Sequence, residues 1–269
     1  MPLNSISDYA VIFLIPIGYY TYAYLRDTEN PSQQNPRSRW YQRNRTILNK
    51  LQIIWTVAPL CILLFSFING TYSLEQIALP WYVVSFFTLV GSFFYYGLIS
   101  KKYFDFDIRH SGWLKSFIIG WEWAYFSTIL PIIFLLANQI DFILNWHLLV
   151  WFFIKNWMFC TANAILFDIK DYPTDANNQL RTFVVSFGIK KTIYLIIIPM
   201  LLAGIASFSL FSYTMDFHLG RYLINLIPFL ATILIALSLK KERKILFYLI
   251  IIDGVLLFKA ICGIIGTLI

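Results

Sequence analysis

Residues 9–25, 51–69, 79–99, 113–137, 143–167, 192–213, 221–238 and 245–268 are almost unbroken apolar runs. Crossing the hydrocarbon layer takes about 20 residues as helix. Lipid offers no partner to a free backbone N–H or C=O, so segments of this kind span as helices. The alternating pattern of a barrel strand is absent. Composition agrees, with 59% hydrophobic and only 13% charged residues, against about 25% charged in a typical soluble domain. The expected fold class is an all-α polytopic membrane protein, a bundle of about eight transmembrane helices in a single transmembrane domain over residues 1–269. No Lys or Arg precedes the first run and Asp8 stands where a signal peptide would be basic, so that run reads as a span. Cys61, Cys160 and Cys262 fall within the runs without metal-type spacing and read as packing residues.

The net charge of +7 gains its meaning from where the charges lie. Arg26, Arg37, Arg39, Arg43, Arg45 and Lys50 follow the first run, and Lys101, Lys102, Arg109 and Lys115 follow the third. Lys170, Arg181, Lys190 and Lys191 follow the fifth; Lys240, Lys241, Arg243 and Lys244 follow the seventh. The alternate connections hold one basic residue, Arg221. Basic loops stay in the cytoplasm, so all four are expected there, with both termini outside. The basic balance is thus a topology signal with membrane lipids as partners, and it excludes a nucleic-acid footprint. The expected location is a bacterial cytoplasmic membrane.

Against this background the stretch FDIKDYPTDANNQLRT, residues 167–182, stands out, because the whole chain holds only 14 acids. Asp168, Asp171 and Asp175 stand at i, i+3 and i+7, one face of a helix. Pro173, lacking an N–H, is expected to interrupt the last turn. Two like charges about 4 Å apart repel by roughly 4 kcal/mol at an effective dielectric of 20, so the trio needs compensation. Lys170 and Arg181 offer one form, in a solvated helix end. A hard divalent cation offers another: Mg²⁺ takes one or two carboxylates, keeps waters, and completes its shell with a substrate's phosphates. Carboxylates beside basic residues then read as a diphosphate site.

DIKDYPTDANNQLRT followed by SFGIKKT resembles the second aspartate-rich motif of the UbiA superfamily of intramembrane prenyltransferases. Asp168, Asp171, Asp175, Arg181, Thr182 and Gly188 fit that motif in order, and KKYFDFDIRHSGWLK (101–115) is similar to the family's basic loop. The resemblance implies a UbiA-like helical bundle that binds an isoprenyl diphosphate on Mg²⁺ at the cytoplasmic end. It implies transfer of the isoprenyl group to a hydrophobic or aromatic acceptor. Metal ligation would fall to Asp168, Asp171 and Asp175. Diphosphate contacts would fall to Lys170, Arg181 and Arg26, and to Lys101, Lys102, Arg109 and Lys115.

The first half departs from the family. Where a first aspartate motif belongs, only Asp27 and Glu29 remain, and one N-terminal span fewer is expected. Gln179 stands where a glycine is usual. Arg26 and the 37–45 arginines are expected to hold diphosphate in place of the missing acids, since guanidinium grips phosphate in a two-pronged way. Within the runs, Glu122, Lys155, Asp253 and Lys259 each cost about 2.5–3.5 kcal/mol on insertion scales and are functional candidates. Glu122 lies about 10 Å in from Lys115 at 1.5 Å per residue and could act on an acceptor hydroxyl. Lys155, about 20 Å from Asp168 on the same scale, is expected to snorkel or to find a structural partner, Asp253 being one choice. A catalytically lapsed binder of lipid or diphosphate is the first alternative, and a small membrane transporter the second.

Overall fold

A computed structural model describes residues 2–27, 36–75, 77–95, 112–177, 179–241 and 243–269. Among them every regular element is a helix and there is no strand. We number these α1 (Ile6–Asp27), α2 (Pro36–Arg43), α3 (Arg45–Ile68), α4 (Leu79–Tyr95), α5 (Trp113–Ala137) and α6 (Trp146–Asn177). They continue as α7 (Phe183–Phe187), α8 (Ile189–Thr214), α9 (Leu219–Ser238) and α10 (Ile245–Leu268). Among the described residues each apolar run contributes a helix, and six of the helices (α3, α5, α6, α8, α9 and α10) are long and apolar enough to cross a membrane. The chain is an all-α, multi-pass membrane protein. Of the eight expected spans, α1 is long enough but rich in tyrosine, and α4 is a shorter apolar helix.

Three of the long helices contain one widened, π-type turn: Tyr125–Ile129 in α5, Ile193–Ile197 in α8 and Tyr248–Ile252 in α10. Two have a visible cause. Pro131 and Pro199 follow directly, and each proline ring would clash with the carbonyl four residues back, inside the widened turn. No proline accounts for the third.

Pro173 behaves differently from the sequence expectation. Rather than interrupting α6 it lies inside it, and the helix continues to Asn177. The end is held by the Leu180 N–H donating to the Asp175 carbonyl at 2.9 Å and by Gln179 in the left-handed region, φ 54°. That conformation is where a helix favours glycine after its last turn. Gln179→Gly is therefore expected to stabilise the protein by about 0.5–1 kcal/mol, the left-handed penalty less glycine's extra chain entropy. Thermal unfolding in detergent reads this directly; a loss of stability would contradict it.

Two compact units are described separately: residues 1–87 with 126–146, and residues 88–125 with 147–269. In the first, α1 packs along α3, with Gln52 Nε2 donating to the Gly18 carbonyl at 2.9 Å. Asp8 is wholly buried there. It accepts from the Ser5 N–H (3.0 Å), the Ser5 hydroxyl (2.7 Å), Asn138 Nδ2 (3.0 Å) and the Tyr72 hydroxyl. Burial first, and the Asp8 carboxylate second, raise the Tyr72 phenol above its ordinary range, so it remains a donor. Hydrogen bonds to a charged group contribute about 1.5–3 kcal/mol. Asp8→Asn, which turns one acceptor into a competing donor, is expected to cost that much in detergent unfolding, and an unchanged midpoint would contradict it.

The second unit holds the main core: Phe159, Ile165 and Leu166 of α6, Ile193, Ile197 and Leu201 of α8, Phe229 and Ala236 of α9, and Tyr248 and Ile252 of α10. Lipid tails are as apolar as these side chains, so close packing rather than exclusion of water holds such helices together. Gly120 shows the device. A Cβ there would lie 2.8 Å from the Thr161 amide nitrogen, so α5 and α6 approach as closely as glycine permits. Cys160 and Cys262 are buried free thiols, as expected of packing residues, whereas Cys61 is exposed.

Candidate functional site

The second unit gathers polar groups where α6 ends. Asp168 and Asp175 are buried, 2% and 6% exposed, while Asp171 on the same face reaches solvent. Opposite them α5 begins at Gly112, whose φ of 72° suits glycine, and where a Cβ would strike the carbonyl of Arg181. This close approach seats the α5 start against the loop after α6 and brings two donors to Asp168. Lys115 Nζ donates to Oδ1 at 3.0 Å, and Ser116 Oγ donates to Oδ2 at 2.8 Å. Lys170 pairs with Asp171 at 2.8 Å. Thr182 is fully buried and caps α7, accepting from the Val185 N–H at 3.2 Å. Thr192 donates to the Phe183 carbonyl at 3.0 Å, holding the turn around Gly188.

Asp175 is the exception. Its Oδ2 is buried and has no hydrogen-bond partner among the described residues. Burial raises its carboxyl to about 6; Asp168 and Asp171 add to the rise, and Lys115 and Lys170 oppose it. An incoming cation would find here a carboxylate oxygen without a hydrogen-bond partner among the described residues, beside two further aspartates and two lysines.

Lys115 and Glu122 stand seven residues apart, on one stripe of α5. Lys115 feels Tyr95 of α4 as well as Asp168. Glu122 bonds Ser92 of α4 and lies against Gly91, where a Cβ would be 3.2 Å from Oε1. That Oε1 is buried and unpartnered among the described residues. Trp121 donates to Thr88 at 3.0 Å and meets Trp157 and Phe153 edge to face, fixing this part of α5.

Several sequence-derived site residues change role or fall outside the description. Lys115, read as a diphosphate contact, is bonded to Asp168. Asp168, read as a metal ligand, has two protein donors already. Arg181 contributes its backbone, with its side chain exposed. Lys101, Lys102, Arg109 and Glu29 lie outside the described residues, as do the side chains of Arg26 and Asp27 at the end of α1. Ser116, Gly112 and Tyr95 were missed. For Gly112 the signal existed in Ser-Gly just before an apolar run, a common helix start.

Among the described residues, no group of three or more His, Cys, Asp and Glu side chains could hold a metal ion. A three-aspartate centre therefore does not fit the position of Asp168, which already accepts from Lys115 and Ser116. What remains is Asp175 with its free oxygen and exposed Asp171 four residues away, neighbours on a helix. Two carboxylates completed by water and phosphate is an ordinary Mg²⁺ arrangement, and these two fit it. Comparison with protein-family models, with curated proteins and with solved structures finds no match.

Proposed function

We propose that this chain is an intramembrane prenyltransferase-like protein that binds an isoprenyl diphosphate at the 112–116 and 168–182 cluster. The observation that carries the reading is the buried, unpartnered Asp175 oxygen within the electrostatic reach of Lys115, Lys170 and two further aspartates. The resemblance of residues 168–188 to the UbiA motif supplies the substrate class. Asp175 and Asp171 are the proposed ligands of Mg²⁺, which when bound would draw charge from the diphosphate oxygens. Asp168 orients Lys115 toward the site. Lys170 and Arg181 supply positive charge at the rim, and Lys101, Lys102 and Arg109 are the further candidates for phosphate contacts.

Transfer breaks the allylic C–O bond, whose electron pair leaves with the diphosphate, and joins that carbon to an electron-rich acceptor. The rings of Trp121, Trp157 and Phe117 are packed against one another on the α5–α6 side. Ring faces stabilise nearby cationic charge, and a dry surround keeps water from the reacting carbon. Glu122, on the Lys115 stripe and with an unsatisfied oxygen, is the proposed acceptor of the proton the attacking group loses.

The site is proposed to face the cytoplasm, on the strength of the four basic loops. Cysteine-accessibility labelling from outside is expected to miss 26–50, 101–115, 168–191 and 240–244. Labelling of any of them from outside overturns the sidedness. For the reaction, purified protein is incubated with geranyl diphosphate, a phenol and MgCl₂. Release of diphosphate that needs all three supports the transferase. Mg²⁺-dependent binding without release supports the lapsed binder instead. Absence of both overturns the reading.

A further inference from the structure

Positive charge collects where α8 begins, α9 ends and α10 begins. Lys190 and Lys191 lie in the first turn of α8, Lys240 and Lys241 follow α9, and Arg243 and Lys244 precede α10. All six are exposed. None of them pairs with an acid among the described residues. Glu242, the one acid of these stretches, lies outside the described residues. Like charges gathered this way repel, and a partner of opposite sign would offset the cost.

Membrane topology asks for positive charge on one side, but it does not ask for order. Here two of the cations are held in place. Lys240 donates to the Tyr194 hydroxyl and stands 4.6 Å from the centre of that ring, which joins the end of α9 to the second turn of α8. Arg243 Nε donates to the Ser238 carbonyl at 3.3 Å, and its guanidinium lies 5.2 Å from the centre of the Phe247 ring. An ammonium has three N–H donors and a guanidinium five. Each of these two groups therefore keeps donors that meet no protein acceptor among the described residues.

The level of these groups in the membrane names the partner. α8, α9 and α10 are each long and apolar enough to span, so their ends come to the height of lipid head groups. Within about two turns of the cations, Leu195, Leu234 and Leu246 are 68%, 68% and 61% exposed. A soluble anion would use the cations and leave these leucines uncovered. A phospholipid uses both, with its phosphate on the cations and its acyl chains against the leucines.

We infer that the joined ends of α8, α9 and α10 form a binding surface for an anionic phospholipid. Lys240 and Arg243 hold its phosphate, and Lys190, Lys191, Lys241 and Lys244 add to the attraction. The inference does not rest on the diphosphate reading, since none of its residues belongs to the 112–116 and 168–182 cluster.

The test is native mass spectrometry of the full chain, purified in dodecyl maltoside and titrated with dioleoyl phosphatidylglycerol or dioleoyl phosphatidylcholine. The two lipids share their chains and differ in net charge. The parent is expected to hold phosphatidylglycerol at least about tenfold more tightly. Lys240→Gln and Arg243→Gln are each expected to weaken it about fivefold, the contribution of one cation at a lipid surface, whereas Lys50→Gln, in another basic stretch, leaves it unchanged. Tyr194→Phe keeps every charge but frees Lys240, and is expected to weaken phosphatidylglycerol at least about twofold, the cost of ordering one side chain on binding. Should the variants fail to fold, the preference of the parent decides. Equal retention of the two lipids would overturn the proposal, as would equal losses in the Lys50 and Lys240 variants or unchanged binding in Tyr194→Phe, which would leave diffuse charge in place of a site. Displacement of phosphatidylglycerol by inorganic pyrophosphate at constant ionic strength would assign the cations to a soluble anion and overturn it equally.

Discussion

Lys115→Met is expected to destabilise the protein by about 3–5 kcal/mol, the cost of removing one partner from a buried ion pair. The pair qualifies as buried: the Lys115 side chain is 14% exposed and that of Asp168 is 2% exposed. Methionine keeps the apolar stem but leaves the Asp168 carboxylate with the Ser116 hydroxyl as its donor. Because the penalty comes from the abandoned charge, Asp168→Asn in the Lys115→Met background should recover much of the loss. Detergent-solubilised protein unfolded by heat or denaturant reads both effects. A single variant within about 1 kcal/mol of the parent, the size typical of exposed pairs, would show that water reaches Asp168.

Asp175→Asn is expected to do the opposite for stability while removing function. The folded protein holds the Asp175 proton up to about pH 6, whereas an unfolded carboxyl releases it near its usual value of about 3.9. Between those limits the folded state binds more protons, so stability falls as pH rises through the window and stays lower above it. Asparagine cannot ionise. The variant should match the parent near pH 4 and exceed it above pH 6, by about 1–3 kcal/mol after discounting for partial solvent screening. In the same variant, Mg²⁺ should no longer enhance binding of an isoprenyl diphosphate. A group that weakens the empty protein yet is needed for the ligand is the pattern of a binding residue rather than a packing one. Equal stability profiles, or undiminished Mg²⁺ dependence, would remove Asp175 from the site.

Much of the architecture was legible because the bilayer leaves few choices. Each long apolar run contributes a helix among the described residues, and the face shared by Asp168, Asp171 and Asp175 follows from periodicity alone. Partners were not legible. Lys115 and Asp168 are 53 residues apart, and only the glycine contact at Gly112 explains why they meet. Lys170 and Arg181 were the cations the sequence offered to the three acids, and of these Lys170 pairs with Asp171. Pro173 misled because local propensity was weighed without the Leu180 and Gln179 geometry that holds the turn beyond it. The glycine missing at 179 was legible as a departure, but its meaning needed the positive φ. Lys155 was expected to find an acid or to snorkel, and it found rings. Sequence could count the aromatics but not say that Trp151 and Phe152 on its own helix and Phe208 on α8 would surround it.

The end of α6 is proposed to bind a diphosphate through a metal. The most direct measurement is titration of the purified full chain with geranyl diphosphate by calorimetry, with MgCl₂ and with EDTA. Saturable binding is expected with Mg²⁺, weakening at least about tenfold, or about 1.4 kcal/mol, when the cation is removed. Binding indifferent to Mg²⁺, or no binding in either condition, would contradict it.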